Sequence, residues 1–502
     1  MKSLKEFHSP KVTLIFIFGV ISILGLISFI FPEKGLKVGS KTFYFVSVND
    51  IFSKNEEQID VEALIQARKD SIEAYEQKLK DIHFKSLEDS ILSAQELLSN
   101  DPTRLMYGNS SRDGLDQFFN ALQNIKSSNR PIRILHFGDS QIEEDRITSY
   151  IRKRIQQEFG GNGVGLMPAL GITRSRTFSH YPSENWVRYT SFGNGNKAQD
   201  GRYGASGIMC KFRHFVSDSI DSVLIEKSFS NGLISFTPRS KVSNNIKNYN
   251  RIKIFLGFNS KPVEVSISFD TTFMRKSIDS NTSLQIVNFD LPYSPSKVTV
   301  KFSGNSSPEV YGISFETPDG VHVDNISMRG ASGTIFSGFN KSLAKNMFEE
   351  LNPKLIILQY GGNVMPYIKS KEKADKYGKE FLRNLKVLKS MCPNTAFLVI
   401  GPSDMSTNIN GKMQTYPNLP DVRNALKEAV FEIGGAYFDM YEVMGGHNSM
   451  PSWVNANPPL AAKDYIHFSF LGSEKIAEIF YESLMLDYEH YLQRQRKNQF
   501  GK

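Results

Sequence analysis

Ile134-Leu135-His136-Phe137-Gly138-Asp139-Ser140-Gln141-Ile142 is an apolar run that stops at a Gly-Asp-Ser turn and continues into a stretch of helical character. The run reads as a buried strand and the turn as a helix start, which places Ser140 at the carboxyl end of that strand. There, free backbone N–H groups and the positive end of the helix dipole face any oxygen that becomes negative, and a serine hydroxyl is positioned as a nucleophile. Asp-Ser also forms ordinary helix caps, so the tripeptide needs a partner. Asp464-Tyr465-Ile466-His467 supplies one near the other end of the chain, with a carboxylate and an imidazole three positions apart just before an amphipathic helix. A Ser, a His and an Asp joined by folding make an acyl-transfer site.

Outward from that strand the rhythm is α/β. An amphipathic helix is expected over residues 114–126 and another over 147–159. Apolar strands LIILQY (355–360) and AFLVIG (396–401) then alternate with helices over 374–389 and 420–433, and a closing helix follows Phe470. Between about Thr173 and Val323 the pattern changes to short alternating runs such as RIKIFLGF, VEVSISFD and SKVTVKFSG, separated by Asn, Ser, Gly and Pro clusters. Such runs predict an antiparallel β-sandwich. Strand–helix alternation on both sides of it predicts a doubly wound parallel sheet carrying an inserted domain. The expected division is an N-terminal segment 1–47, a helical spacer 48–110, a first catalytic segment 111–172, the insertion 173–323 and a second catalytic segment 324–502. The Gly-rich stretch GGNGVGLMPAL after the helix ending at Phe159 has no Gly-Lys-Ser/Thr ending, so a close-packed loop beside Ser140 is expected rather than a phosphate cradle.

The 502 residues are 40% hydrophobic and 22% charged, a globular balance, and the formal charge of +8 is spread without a Lys/Arg block of the kind that binds nucleic acid. Val12 to Phe31 is an unbroken apolar run preceded by Lys2, Lys5 and Lys11. About 20 such residues span a bilayer, and leading positive charge keeps the amino terminus inside. A transmembrane signal anchor with everything after it exported is the expectation; a cleaved signal peptide with secretion is the alternative. Two cysteines, Cys210 and Cys392, make no disulfide framework and no metal-ligand spacing, and leave one bridge or two separate thiols open.

Four segments fall where an open parallel sheet gathers its functional loops: Gly138-Asp139-Ser140, Met328-Arg329-Gly330-Ala331-Ser332-Gly333, Gly361-Gly362-Asn363 and Asp464-Tyr465-Ile466-His467. Their order and content resemble the SGNH (GDSL-like) hydrolase superfamily. That resemblance implies a flavodoxin-like three-layer fold, Ser140 as nucleophile, His467 and Asp464 as its partners, and an oxyanion hole from the N–H groups of Ser140 and Gly330 and the amide of Asn363. Two positions depart from the family pattern, Gln141 where relatives carry Leu and Val364 where Asp is common. The HFGDSQIEED opening, the Gly-rich stretch and the place of the insertion are most similar to exported peptidoglycan O-acetylesterases, whose insertion is carbohydrate-binding-module-like. The resemblance thus implies deacetylation of an acetylated envelope glycan, peptidoglycan first, with no cofactor and no metal. An O-acetyltransferase using the same residues and a glycan-binding protein with a relic site are the alternatives.

Other residues carry blander expectations. Asp139 is read as a hydrogen-bonder fixing its loop, His136 as packed in its strand, and His180, His214, His322 and His447 as non-catalytic. Glu143, Glu144 and Asp145 are read as charges at a helix start, favoured by its dipole. Trp186, Tyr189 and Tyr203 suit either sugar stacking or core packing.

Overall fold

Strand Ile132–Gly138 is buried along its whole length, as a strand covered on both faces must be. In the computed structural model, which describes residues 10–32, 36–38, 41–43, 45, 59–81, 101–213 and 230–500, it is the second strand of a six-stranded sheet. Val321–Ser327 lies on one side of it and Pro353–Gln359, Ala396–Ile400 and Ala436–Phe438 follow on the other, all parallel. Met106–Tyr107 closes the far edge antiparallel. The order of the parallel strands is the doubly wound 2-1-3-4-5, whose switch point falls between the strands ending at Gly138 and Gln359.

Alternate residues of these strands feed opposite cores. Leu135, Phe137, Ile356, Leu358 and Val399 face one side with Phe348, Phe381 and Leu426 from helices Lys341–Leu351, Lys371–Met391 and Leu419–Glu432. Ile134, Leu355, Ile357 and Leu398 face the other, with Phe119, Ile151 and Phe480 from helices Asp116–Gln123, Thr148–Phe159 and Phe470–Phe500. The period-two strand pattern thus becomes three layers.

Between the first two parallel strands the chain builds two antiparallel sheets, ordered 285–290, 251–256, 310–316, 208–212, 186–190 and 272–278, 263–269, 298–304, 230–238, 178–182. They face each other through rings: Phe315 lies 5.1 Å from Phe178 and 4.9 Å from Phe236, and Trp186 lies 5.6 Å from Phe302. An ionic knot ties this unit to the parallel sheet. The buried Arg133 guanidinium donates 2.9 Å bonds to both oxygens of Asp324, one to Ser314 at 3.1 Å, and pairs with Glu316. Burial alone would raise the Glu316 carboxyl, yet Arg133 holds it down to about 2.

Several expectations change. Gly161 and Gly163 are close-packed, but at the opposite end of the sheet from Ser140, and Gly160 beside them is open. Gly161 lies against the backbone of Val321 and Gly163 against Phe315, at the amino end of the neighbouring strand. The reason is the crossover itself, since helix Thr148–Phe159 carries the chain back down the sheet. Within the expected spacer, helix Val61–Asp81 is no solvated rod. It buries Val61, Ile65 and Ile72 and packs on the C-terminal helix through Tyr75, Leu79 and Leu486, with Lys69 2.8 Å from Glu478. Residues 82–100 of that segment lie outside the described residues. The apolar N-terminal run forms helix Pro10–Ile30, long and apolar enough to cross a membrane by length and composition. Cys210 and Cys392 are separate buried thiols, each pushed up to about 12 by burial.

Candidate active site

The turn after strand Ile132–Gly138 is shaped by close approach. A Cβ on Gly138 would press on the Ile142 side chain and the Gln359 carbonyl, so the position takes glycine. Asp139 caps the short turn Ser140–Asp145, its Oδ1 accepting the Gln141 N–H at 2.9 Å. Its other oxygen accepts from Asn363 Nδ2 at 3.1 Å. Complete burial pushes the Asp139 carboxyl up to about 6, against the pull of the Gln141 N–H and the His467 charge. This is the loop-fixing role expected of it.

Beyond Ser140 the structure differs from a regular helix start. Glu144 and Asp145 have left-handed φ values of 59° and 67°, and the regular helix begins only at Thr148. Glu143, Glu144 and Asp145 are therefore not dipole-favoured first-turn charges. Asp145 is buried against Arg152 at 2.6 Å, and Glu143 faces Arg329 at 3.8 Å.

The Asp464–His467 loop folds on its own carboxylate. Asp464 Oδ1 accepts the N–H groups of Ile466 at 2.9 Å and His467 at 3.0 Å, with Tyr465 in the left-handed region at φ 58°. Asp464 Oδ2 is left to accept from His467 Nδ1 at 2.8 Å, and His467 Nε2 stands 2.8 Å from Ser140 Oγ. With the Nδ1 proton on the carboxylate side, Nε2 is free to accept the serine proton. Partial burial raises the Asp464 carboxyl, but the His467 side chain and the two backbone N–H groups outweigh it and hold the group below its usual range. The three expected residues thus form one hydrogen-bonded series across 327 positions of sequence. They sit on an open face, with the His467 and Asp464 side chains 30% and 47% exposed.

The remaining expected residues surround that series. The Met328 N–H donates to the Gly138 carbonyl at 2.7 Å and the Met328 carbonyl accepts the Ala331 N–H at 2.9 Å, so the turn carrying Gly330 begins directly beyond the Ser140 strand. Gly330 is exposed with φ 77°. Asn363 follows Gly361 and Gly362 at the end of strand Pro353–Gln359, and its Nδ2 donates to Asp139 at 3.1 Å and to the Ala331 carbonyl at 3.0 Å. Both amide protons are therefore engaged, and a third acceptor must displace one of them.

One contact escaped the sequence reading. Gln141 Nε2 donates to the Ile466 carbonyl at 2.7 Å, inside the Asp464–His467 loop. Its departure from the family pattern was the only available signal. Elsewhere, His136 is buried between Gln359 and Thr148 and pushed down to about 3, while His322 bonds the Thr317 carbonyl and His180 accepts the Gly171 N–H. His214 lies outside the described residues. Trp186 and Tyr203 are core residues, Trp186 donating to the Leu233 carbonyl at 3.1 Å, which removes them as stacking platforms.

A parallel 2-1-3-4-5 sheet with Ser140, Asn363 and the Asp464–His467 loop at the carboxyl ends of its strands is the arrangement that the resemblance to the SGNH (GDSL-like) hydrolases implies. A solved peptidoglycan O-acetylesterase superposes at a TM-score of 0.59 with 21% identity, over 76% of this chain and 99% of that one. An acetyl xylan esterase, AlAXEase, is matched at 14% identity and TM-score 0.26 over 33% of this chain and 81% of that one. A family two carbohydrate esterase from Clostridium thermocellum is matched at 11% identity and TM-score 0.21 over 55% and 93% of the two chains. No protein-family model and no curated protein matches the sequence.

Proposed function

We propose that the chain is a serine esterase that removes O-acetyl groups from an envelope polysaccharide, peptidoglycan being the foremost substrate. The observation that carries this reading is the Ser140–His467–Asp464 series, with 2.8 Å at both links. Ser140 Oγ attacks the acetyl carbonyl carbon as its proton passes to His467 Nε2. The carbonyl electron pair moves to oxygen. Collapse of that adduct breaks the bond to the sugar oxygen, which leaves with the proton from His467. Water then attacks acetyl-Ser140 by the same route and releases acetate.

The Ser140 and Gly330 N–H groups and the Asn363 amide are assigned to the oxyanion, one donor contributing on the order of 3 kcal/mol. Because Asn363 already donates to Asp139 and the Ala331 carbonyl, the oxyanion takes the place of Ala331, and the Gly330 turn moves with it. Asp139 keeps the other amide proton and the orientation of Asn363. The reading keeps 111–172 and 324–502 as the catalytic domain around the insertion 173–323, and places them outside the cell, tethered by the helix Pro10–Ile30. The half-exposed site suits a polymer too large to enter an enclosed pocket, and the fold shared with the solved peptidoglycan esterase is consistent with it.

The test uses the full chain in detergent, assayed on 4-nitrophenyl acetate and for acetate release from O-acetylated peptidoglycan. Ser140→Ala is expected to lose roughly a thousandfold or more in kcat with an unchanged melting temperature. Equal turnover by Ser140→Ala and wild type would defeat the reading.

A further inference from the structure

The charge excess that is dispersed in sequence converges in space. A groove of about 1490 Å³ runs between the parallel-sheet domain and the antiparallel insertion, starting beside the Ser140 turn. One wall carries Arg146 and Lys153 together with Phe470 and Leu471, three and four residues beyond His467. The other wall carries Arg174, Arg176, Arg239, Lys241 and Lys297. Glu144 and Glu474 are the two carboxylates among the lining residues, so seven cations face two anions.

Arg146 and Arg239 each donate an Nε–H to a backbone carbonyl, of Glu143 at 3.0 Å and of Ser175 at 2.7 Å, but no carboxylate neutralises these cations. Among the described residues none of the seven lies within ion-pair distance of a carboxylate, whereas Arg133, Arg152 and Arg423 elsewhere all do. Six of the seven are exposed and Arg146 is half-buried. Arg176 stacks its guanidinium 3.2 Å over the exposed Phe470 ring, which fixes a charged plane at the end nearest His467. Arg146 is close enough to Asp464 to feel its charge, so the cationic lining reaches the Ser140 series without a break.

Unpaired like charges along a concave, water-filled wall repel one another and destabilise the fold slightly unless a polyanion fills the gap. Resting on the esterase reading, we propose that this groove binds a carboxylate-bearing polysaccharide strand and presents its acetyl groups to Ser140, so that the substrate is an anionic rather than a neutral acetylated glycan. An anionic membrane surface fits less well, because a flat array of headgroups cannot reach both walls of a groove. Guanidinium groups pair with carboxylates in the plane, and the Arg176–Phe470 stack offers a sugar ring an adjacent apolar edge.

The test is direct binding by fluorescence anisotropy, using the full chain in detergent and a labelled oligogalacturonate of about ten sugars, with a cello-oligosaccharide of equal length as neutral comparison. Lys153→Glu/Lys241→Glu/Lys297→Glu reverses three groove charges, and Lys126→Glu/Lys345→Glu/Lys379→Glu makes the same net change at exposed positions outside it. Expected is salt-sensitive binding of oligogalacturonate, weakened about tenfold or more by the groove variant and less than about twofold by the control, both with wild-type circular dichroism. Equal binding of the neutral oligosaccharide, equal losses in both variants, or a loss confined to phosphatidylglycerol vesicles would overturn the proposal. Because galacturonate binding needs no turnover, loss of this inference with 4-nitrophenyl acetate hydrolysis intact leaves the esterase reading standing, and the converse result separates them equally well.

Discussion

Replacing Gln141 by Leu tests how the Asp464–His467 loop is held. The Gln141 amide donates to the Ile466 carbonyl at 2.7 Å, while its own Oε1 is buried without a partner. The Leu side chain removes the donor and the stranded acceptor together. Loss of a net hydrogen bond costs about 0.5–1.5 kcal/mol, and relief of an unsatisfied buried oxygen returns a similar amount. Global stability is therefore expected to change by less than about 1.5 kcal/mol in urea unfolding. Catalysis has no such offset, because the lost tether acts on the loop that aims His467 at Ser140. About 1 kcal/mol of lost bias toward the productive loop lowers kcat about fivefold, and 1.4 kcal/mol about tenfold. Steady-state kinetics on 4-nitrophenyl acetate should show that fall in kcat with KM changed little, and Gln141→Asn should not restore it, its shorter side chain failing to reach Ile466. An unchanged kcat in Gln141→Leu would refute the tether, and so would a collapse of stability that accounted for the lost rate.

Three further outcomes follow from the same geometry. Asp139 is held protonated to about 6 by burial, against an ordinary value near 4, so its proton favours the folded state and stability falls as pH rises through that window. Asp139→Asn removes a slope of about 3 kcal/mol, and the melting-temperature difference between variant and wild type should shift in favour of the variant from pH 4 to pH 7. Asp464 has the opposite sign: its contribution is present above about pH 4 and is lost as pH falls through its depressed value. Asp464→Asn should flatten acid unfolding below about pH 4 in a melting series, and lower kcat by about a thousandfold or more through loss of the His467 tautomer. Arg133→Met strands the buried Asp324 and Glu316 carboxylates, so unfolding free energy in urea should drop by about 3–5 kcal/mol; a loss below 1 kcal/mol would deny the knot its role.

How much was legible in the sequence depended on how local each signal was. The parallel sheet announces itself in LIILQY and AFLVIG, whose continuous apolar character belongs to strands covered on both faces. Ser140 stands out at a strand–loop–helix junction, and the Asp464–His467 pair in the loop that leads into helix Phe470–Phe500, each written in a few residues. The place of the Gly-rich stretch is not legible, because nearness in sequence to Ser140 is not nearness in space: a helix of twelve residues separates the two ends of the sheet. The docking of helix Val61–Asp81 was hidden for a related cause. Its buried residues are spaced among charges that read as a solvated face until a second helix covers them. Gln141, the engaged protons of Asn363 and the irregular turn at Glu144 and Asp145 are tertiary facts, each set by a partner far away in the chain.

The Arg133 cluster has a mechanical consequence for whatever lies between the two domains. Swinging the insertion outward would pull the Arg133 guanidinium off Ser314 and Glu316 in a dry interior while Asp324 stays with it on the parallel sheet, so the gap behaves as a fixed calliper and not as a jaw. If the groove holds an acetylated strand as proposed, that strand enters only sideways or from an open end, and successive acetyl groups reach Ser140 as it slides, with no opening and closing between them.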